Sequence, residues 1–303
     1  MVDLTLLGCG GGMPIPERFL SSLLINYKGK KILVDCGEGT QVSMKIASTG
    51  FKNIDIICIT HIHGDHIIGL PGLLATIGNS GRVEPMKILG PQGITDAVNG
   101  LRVVAKYLPY DIEIIEVEKN NLEILEGEVL CSTIDLDHSS LCVGYNFYFK
   151  RSPRFDMDRA KENKVPKILW NRLQKSKDSI IFEDKEYMTS MVMGKERRGI
   201  KLSFVTDTRP KEEIVNFIQD SDFFICEGTY GDELDIEKAI KNKHMTFKES
   251  ATLAKRGNVK TLLLTHFSPA VLEPREYLSN ATDVFKNTLI GEDRMKFTLK
   301  FEE

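Results

Sequence analysis

The sequence predicts a layered α/β sandwich, and three observations carry that prediction. Short runs of β-branched and apolar residues recur along the chain and come in groups, with Gly, Asn and Asp turn signals between many of them. Helix-like stretches are fewer and lie between those groups, and no repeat period stands out, so a regular βαβ alternation fits less well. The six histidines sit at or near the ends of apolar runs, with none placed on an obviously solvated helix face.

Taken in order, the run Leu4–Leu7 leads into the cluster Gly8-Cys9-Gly10-Gly11-Gly12. The cluster fails the dinucleotide-binding pattern because Met13 stands at the third glycine position. Pro14 and Pro16 follow, so no helix N-terminus is ready for a phosphate, and a tight strand-to-loop turn is expected. Strand-like runs continue at Leu23–Tyr27, Ile32–Val34 and Ile54–Ile59, with a helix-like stretch at Thr40–Ser48. The patterns His66–Gly78 and Thr95–Tyr107 read as helices, and Ile112–Val117, Val129–Leu136 and Val143–Phe149 as strands. Further on, Leu202–Val205, Phe223–Cys226 and Leu262–Leu264 read as strands among the helix-like Lys211–Gln219, Thr246–Arg256 and Glu276–Lys286. One segment, about 150–198, breaks the rhythm. It is basic, poor in apolar periodicity, and holds Pro153, Pro166 and the single tryptophan, Trp170; it reads as an arm inserted into one domain spanning 1–303.

Composition sets bounds on function. A 303-residue chain that is 42% hydrophobic and 27% charged has ample material for a core and excludes a disordered or fibrous protein. No apolar run approaches the ~18 residues of a membrane span, and Met1-Val2-Asp3-Leu4 lacks the basic start of a secretory signal, so a cytoplasmic protein is expected. Cys9, Cys36, Cys58, Cys131, Cys142 and Cys226 are scattered without a CxxC pair and read as reduced, buried thiols. The net charge of −3 hides an asymmetry: between Lys150 and Lys175 nine Lys/Arg face three Asp/Glu. Such a run is commonly a solvated face; on an acidic body it is also a candidate polyanion contact.

The chemistry concentrates in Thr60-His61-Ile62-His63-Gly64-Asp65-His66. Alternation on an extended chain puts the His61 and His63 imidazoles on one side, where they can grip one cation. Gly64 lets the chain turn, and Asp65 and His66 on that turn suit a second cation nearby; imidazole and carboxylate are zinc ligands. Ordinary core histidines would leave three imidazoles and a carboxylate crowded at a strand end without compensation. Asp207, at the end of Leu202–Val205, could bridge two cations, although a lone Asp there would by default cap a turn. His138 and His266 also follow apolar runs and gain weight from the first cluster.

The HxHxDH pattern after an apolar strand, with His138, Asp207 and His266 at long intervals, resembles the metallo-β-lactamase superfamily. The stretches Leu7–Pro14, Val34–Gln41, Ile67–Leu74, Thr206–Arg209 and Leu264–Ser268 narrow the resemblance to ribonuclease Z, the tRNA 3′-processing endonucleases, over essentially the whole chain. That resemblance implies an αββα sandwich with two zinc ions at one edge of the paired sheets. His61, His63 and His138 would hold the first, Asp65, His66 and His266 the second, with Asp207 bridging. A metal-bridging hydroxide would attack the phosphorus in line. Asp65 would be the base, and Glu227 with His244 would protonate the leaving oxygen. The basic segment stands where the family inserts an arm that clamps tRNA, with Lys150, Arg151, Arg154, Lys161, Lys164 and Lys167 on phosphates. Arg18 belongs to the loop that in the family senses the CCA end. A homodimer is implied as well.

The departures from the family pattern fall at substrate-reading positions. Val165-Pro166 runs into Lys167-Ile168-Leu169-Trp170-Asn171 where a Gly-Pro-rich motif is usual, and Trp170 would sooner cap a hydrophobic contact than stack on a base. The CCA-sensing loop reads Pro14-Ile15-Pro16-Glu17-Arg18-Phe19, without the usual lysine and asparagine. Pro269-Ala270-Val271 replaces an Arg-Tyr. Two other functions therefore stand beside precursor-tRNA cleavage: a small-molecule phosphodiesterase or ester hydrolase of the same superfamily, and a metal-containing RNA-binding protein without turnover. Manganese or iron could replace zinc on such ligands.

Overall fold

The computed structural model describes residues 1–117, 122–176 and 178–302. In chain order the strands are β1 (Val2–Gly8), β2 (Ser22–Tyr27), β3 (Lys30–Val34), β4 (Ile54–Cys58), β5 (Met86–Gly90), β6 (Ile112–Glu116), β7 (Leu122–Ile124), β8 (Val129–Asp135) and β9 (Val143–Arg151). They continue with β10 (Ile180–Phe182), β11 (Lys185–Tyr187), β12 (Arg197–Val205), β13 (Phe223–Glu227), β14 (Leu262–Thr265), β15 (Thr288–Ile290) and β16 (Met295–Leu299). The chain divides into two compact units, Met1–Phe149 with Ile200–Lys300, and Lys150–Gly199 with the residues from Phe301.

Among the described residues the first unit holds two seven-stranded sheets, ordered β16-β1-β2-β3-β4-β5-β6 and β15-β14-β13-β12-β9-β8-β7. The register explains both faces of the first sheet. Leu24, Leu33, Ile57 and Ile88 lie side by side across β2 to β5 and join the core beneath helices Thr40–Ile46, Leu70–Asn79 and Ile94–Leu101. Residues one step along point the other way, toward the second sheet: Tyr27 packs on Phe149 with ring centroids 5.1 Å apart, and the Tyr145 hydroxyl donates to the Ile59 carbonyl at 2.8 Å. Helices Glu212–Ile218 and Phe247–Arg256 cover the second sheet, so the layers run helix, sheet, sheet, helix.

Several elements differ from the sequence reading. The pattern His66–Gly78 is two helices, Gly64–Ile67 and Leu70–Asn79. The break falls at Gly69, where a Cβ would lie 2.2 Å from the Gly37 carbonyl oxygen. Thr95–Tyr107 tightens into a 3₁₀ turn at Arg102–Ala105, and Glu276–Lys286 shortens to Leu278–Thr282. The second unit has helices Met157–Glu162 and Lys167–Lys175, a hairpin β10–β11 turning through left-handed Glu183 and Asp184, and its own core of Ala160, Val165, Leu169, Leu173, Tyr187, Val192 and Met193. Each helix buries one or two side chains, too few to register as an apolar period. All six cysteines are buried thiols.

Candidate metal centre

The groups singled out in the sequence gather where strands of the two sheets end. The His61–His66 segment follows β4, His138 follows β8, Asp207 follows β12, Glu227 ends β13 and His266 follows β14; Asp35, which follows β3, joins them. Strands β12, β13 and β14 are parallel neighbours, so their carboxyl ends, and the side chains beyond them, share one edge. Asp35, Asp207 and His266 adopt left-handed backbone conformations, with φ of 58°, 50° and 59°. Asp and His tolerate this region better than most residues, and such strain gathers at functional sites.

The donor atoms form two groups. In the first, His61 Nε2 lies 3.0 Å and His138 Nε2 3.2 Å from His63 Nδ1. In the second, His66 Nε2 and His266 Nε2 are 3.1 Å apart, and Asp65 Oδ2 sits 3.5 and 3.4 Å from them. Asp207 stands between the groups. Its Oδ1 is 3.5 Å from His66 and 3.2 Å from His266; its Oδ2 is 3.7 Å from His61 and 3.8 Å from His138. Zinc bonds of 2.0–2.1 Å in tetrahedral geometry put ligand atoms about 3.3 Å apart. These separations therefore suit two cations, with no thiolate among the donors.

In His61, His66, His138 and His266 the far ring nitrogen has a partner that fixes the tautomer such ligation needs. His66 Nδ1 is 2.7 Å from Asp35 Oδ2, His61 Nδ1 3.1 Å from Thr60 Oγ1, His138 Nδ1 3.3 Å from the Lys243 carbonyl, and His266 Nδ1 3.2 Å from Thr229 Oγ1. Asp35 is buried and accepts from Ser21, from the Thr60 amide and hydroxyl, and from His66. Sequence reasoning passed over Asp35 and Thr60 as functional residues, although Asp35 ends an apolar strand just as Asp207 does. Against the cost of burial, the imidazoles of His266 and His66 hold both Asp65 and Asp207 well below the usual carboxylate range. His66 is drawn upward, again against burial, by Asp207 and Asp35. The second group thus favours added positive charge, which is what a cation supplies, whereas in the first group burial lowers His61 and His138 and keeps them neutral ligands.

The glycine cluster closes over this centre. A Cβ on Gly11 would lie 2.3 Å from His266 Cε1, and the Gly12 amide donates to Asp65 Oδ2 at 2.6 Å. On the other side, Glu227 is fully buried and accepts from the Thr208 and Met245 amides at 2.6 and 3.0 Å and from the Thr229 hydroxyl at 2.6 Å. Its Oε2 lies 3.2 Å from His244 Nδ1. Burial would lower His244, but the Glu227 carboxylate outweighs it and raises the imidazole to about 9. The His244 ring stands 5.2 Å from that of His138 and 5.4 Å from that of His266, bordering both groups.

The candidate RNA contacts are placed differently. Arg154, Lys161, Lys164 and Lys167 are exposed and Lys150 and Arg151 half-buried, all within the second unit; Arg151 donates to the Glu302 carbonyl. Trp170 packs on Phe155, and its indole N–H donates to the Val165 carbonyl, so it serves the core of that unit. Arg18, expected among the RNA contacts as part of the CCA-sensing loop, is 8% exposed, and its guanidinium donates to backbone carbonyls.

Comparison with known proteins then places the chain. A family model described as anti-Pycsar protein Apyc1 matches residues 2–121. The ribonuclease Z of Clostridium beijerinckii is 63% identical and that of Clostridioides difficile 59% identical, each over 100% of both chains. Among solved structures, human tRNase Z, short form, superposes with a TM-score of 0.68 at 24% identity, covering 99% of this chain and 100% of that one. The metallo-β-lactamase fold protein YhfI from Bacillus subtilis does so with 0.70 at 17%, covering 98% of each. The chain belongs to the ribonuclease Z family, metal-dependent hydrolases of the endoribonuclease class, and it carries the metallo-β-lactamase fold.

Proposed function

We propose that this protein is a dinuclear metal phosphodiesterase that removes the 3′ trailer of precursor tRNA, cutting just after the discriminator base. One observation carries the reading: Asp207 turns its two oxygens toward two separate groups of ligating side chains. His61, His63 and His138 would hold one cation and Asp65, His66 and His266 the second, with Asp207 available to both. Two bound divalent cations supply Lewis acidity, lowering the pKa of water and offsetting charge on the phosphoryl oxygens. Zinc suits the donors first, with manganese or iron as substitutes.

The remaining steps belong to the chain's own residues. The Gly12 amide orients Asp65 Oδ2, leaving the other oxygen to take a proton from the attacking water. Glu227 holds His244 oriented and protonated at neutral pH, ready to supply the proton the leaving oxygen needs. Lys150, Arg151, Arg154, Lys161, Lys164 and Lys167, on an inserted arm of a single catalytic domain, take the tRNA phosphates and fix position without reading sequence. A zinc-loaded homodimer in the cytoplasm completes the reading. Among the described residues no helix is long and apolar enough to cross a membrane.

The second reading, a small phosphodiester as substrate, draws on the altered Pro14–Phe19 and Pro269–Val271 stretches. The test compares kcat/KM of zinc-loaded protein on a CCA-less precursor tRNA and on a chromogenic phosphodiester. A ratio strongly favouring the precursor supports tRNA processing. A fast diester reaction with an intact precursor would transfer the site to small substrates.

A further inference from the structure

Arg18 joins two loops beside the centre. Its Nη2 donates to the Val271 and Leu272 carbonyls, each at 3.0 Å, and its Nη1 to the Ser268 carbonyl at 3.4 Å. The guanidinium lies 5.6 Å from the centre of the Phe267 ring, and the alkyl stem passes so close to Gly10 that a Cβ there would meet it at 3.2 Å. Asp293 pins the same loop from its other side, accepting from the Cys9 amide at 3.1 Å and the Phe19 amide at 2.7 Å. The loop Met13–Phe19 is therefore fastened to the segment immediately after His266.

That segment needs fastening. His266 holds a left-handed φ of 59°, a conformation that strains a non-glycine residue and persists only where neighbours over-determine it. Backbone bonds Phe267 to Cys9 and Gly11 to Phe267 secure one side, and Ser268 to Thr229 another. Arg18 secures the turn beyond, where three carbonyls converge on one planar fork. We infer that Arg18 is a positioning residue whose guanidinium holds the His266 segment so that Nε2 reaches Asp65, His66 and Asp207, and that it is not a phosphate contact. The inference rests on the metal-centre reading above.

Arg18→Lys separates the two roles. Lysine keeps the charge, which satisfies a phosphate, but one ammonium cannot span the carbonyls that a five-donor fork reaches. Two readouts are taken on wild type, Arg18→Lys and Arg18→Ala. One is zinc titration of metal-free protein against a chromophoric chelator, without RNA. The other is binding of precursor tRNA by chelated protein across a salt series. The expected result is a loss of about tenfold in affinity for one of two zinc ions in both variants, with the salt slope unchanged. The visible spectrum of the cobalt-substituted forms should shift in the same two variants. Unchanged zinc affinity would overturn the inference. So would a salt slope lowered by about one unit in Arg18→Ala and restored by lysine. A wild type that takes up no zinc would sink the metal-centre reading and this inference with it.

Discussion

Asp207 is the residue on which the two donor groups depend together, since one carboxylate faces both. Asp207→Asn keeps the shape but gives up the charge and one acceptor oxygen. We expect metal analysis to find fewer than two cations per chain and activity to fall at least about a hundredfold. Glu227→Gln acts on the proton and leaves the metals alone. The cations should stay bound and KM should hold, while kcat drops by about 10²-fold or more; lost metal would mean that Glu227 is structural. The side chains that meet at the centre were legible in the sequence because histidines ending apolar strands are conspicuous. Asp35 and Thr60 were not, because their work is to accept hydrogen bonds from ring nitrogens, and that depends on which atoms the fold brings within 3.1 Å.

Among the elements, the glycine turn after β1 is the most exacting. Gly11→Ala would drive a methyl into the His266 ring, which its other partners hold in place. The expected outcome is weaker binding of one cation with little change in the unfolding of metal-free protein. An unaltered zinc titration would show that the ring can yield. The basic helices of the second unit are tested by charge. Replacing Arg154, Lys161, Lys164 and Lys167 with alanine should lower the salt slope of precursor binding by about one unit for each phosphate no longer neutralised, while a small phosphodiester is still hydrolysed. An unchanged slope would leave those side chains as a solvated face. Strands with strong β-branched runs were legible, and so was their order along the chain. The arm helices and the short strands β5, β7, β10, β11, β15 and β16 were not, since three to five residues, or one buried side chain per turn, carry too little periodicity.

At the scale of the whole molecule, the proposed ligands span His61 to His266, and both sheets contribute them. Cations bound by these ligands recognise only the folded chain and stabilise it by mass action. Chelation should therefore lower the unfolding temperature by at least about 5 °C, restored by added zinc; a chelator-insensitive transition would show that no resident metal ties the sheets together. The layered sandwich was legible from grouped strands and interposed helices, while the pairing of β16 with β1 was not, because it joins the two ends of the sequence. The most direct measurement is to map the new 3′ ends made from a precursor tRNA by metal-quantified wild type beside Asp65→Ala. The account predicts a single cut after the discriminator base by the wild type and none by the variant. An intact precursor with two metals bound, or equal cleavage by both proteins, would contradict it.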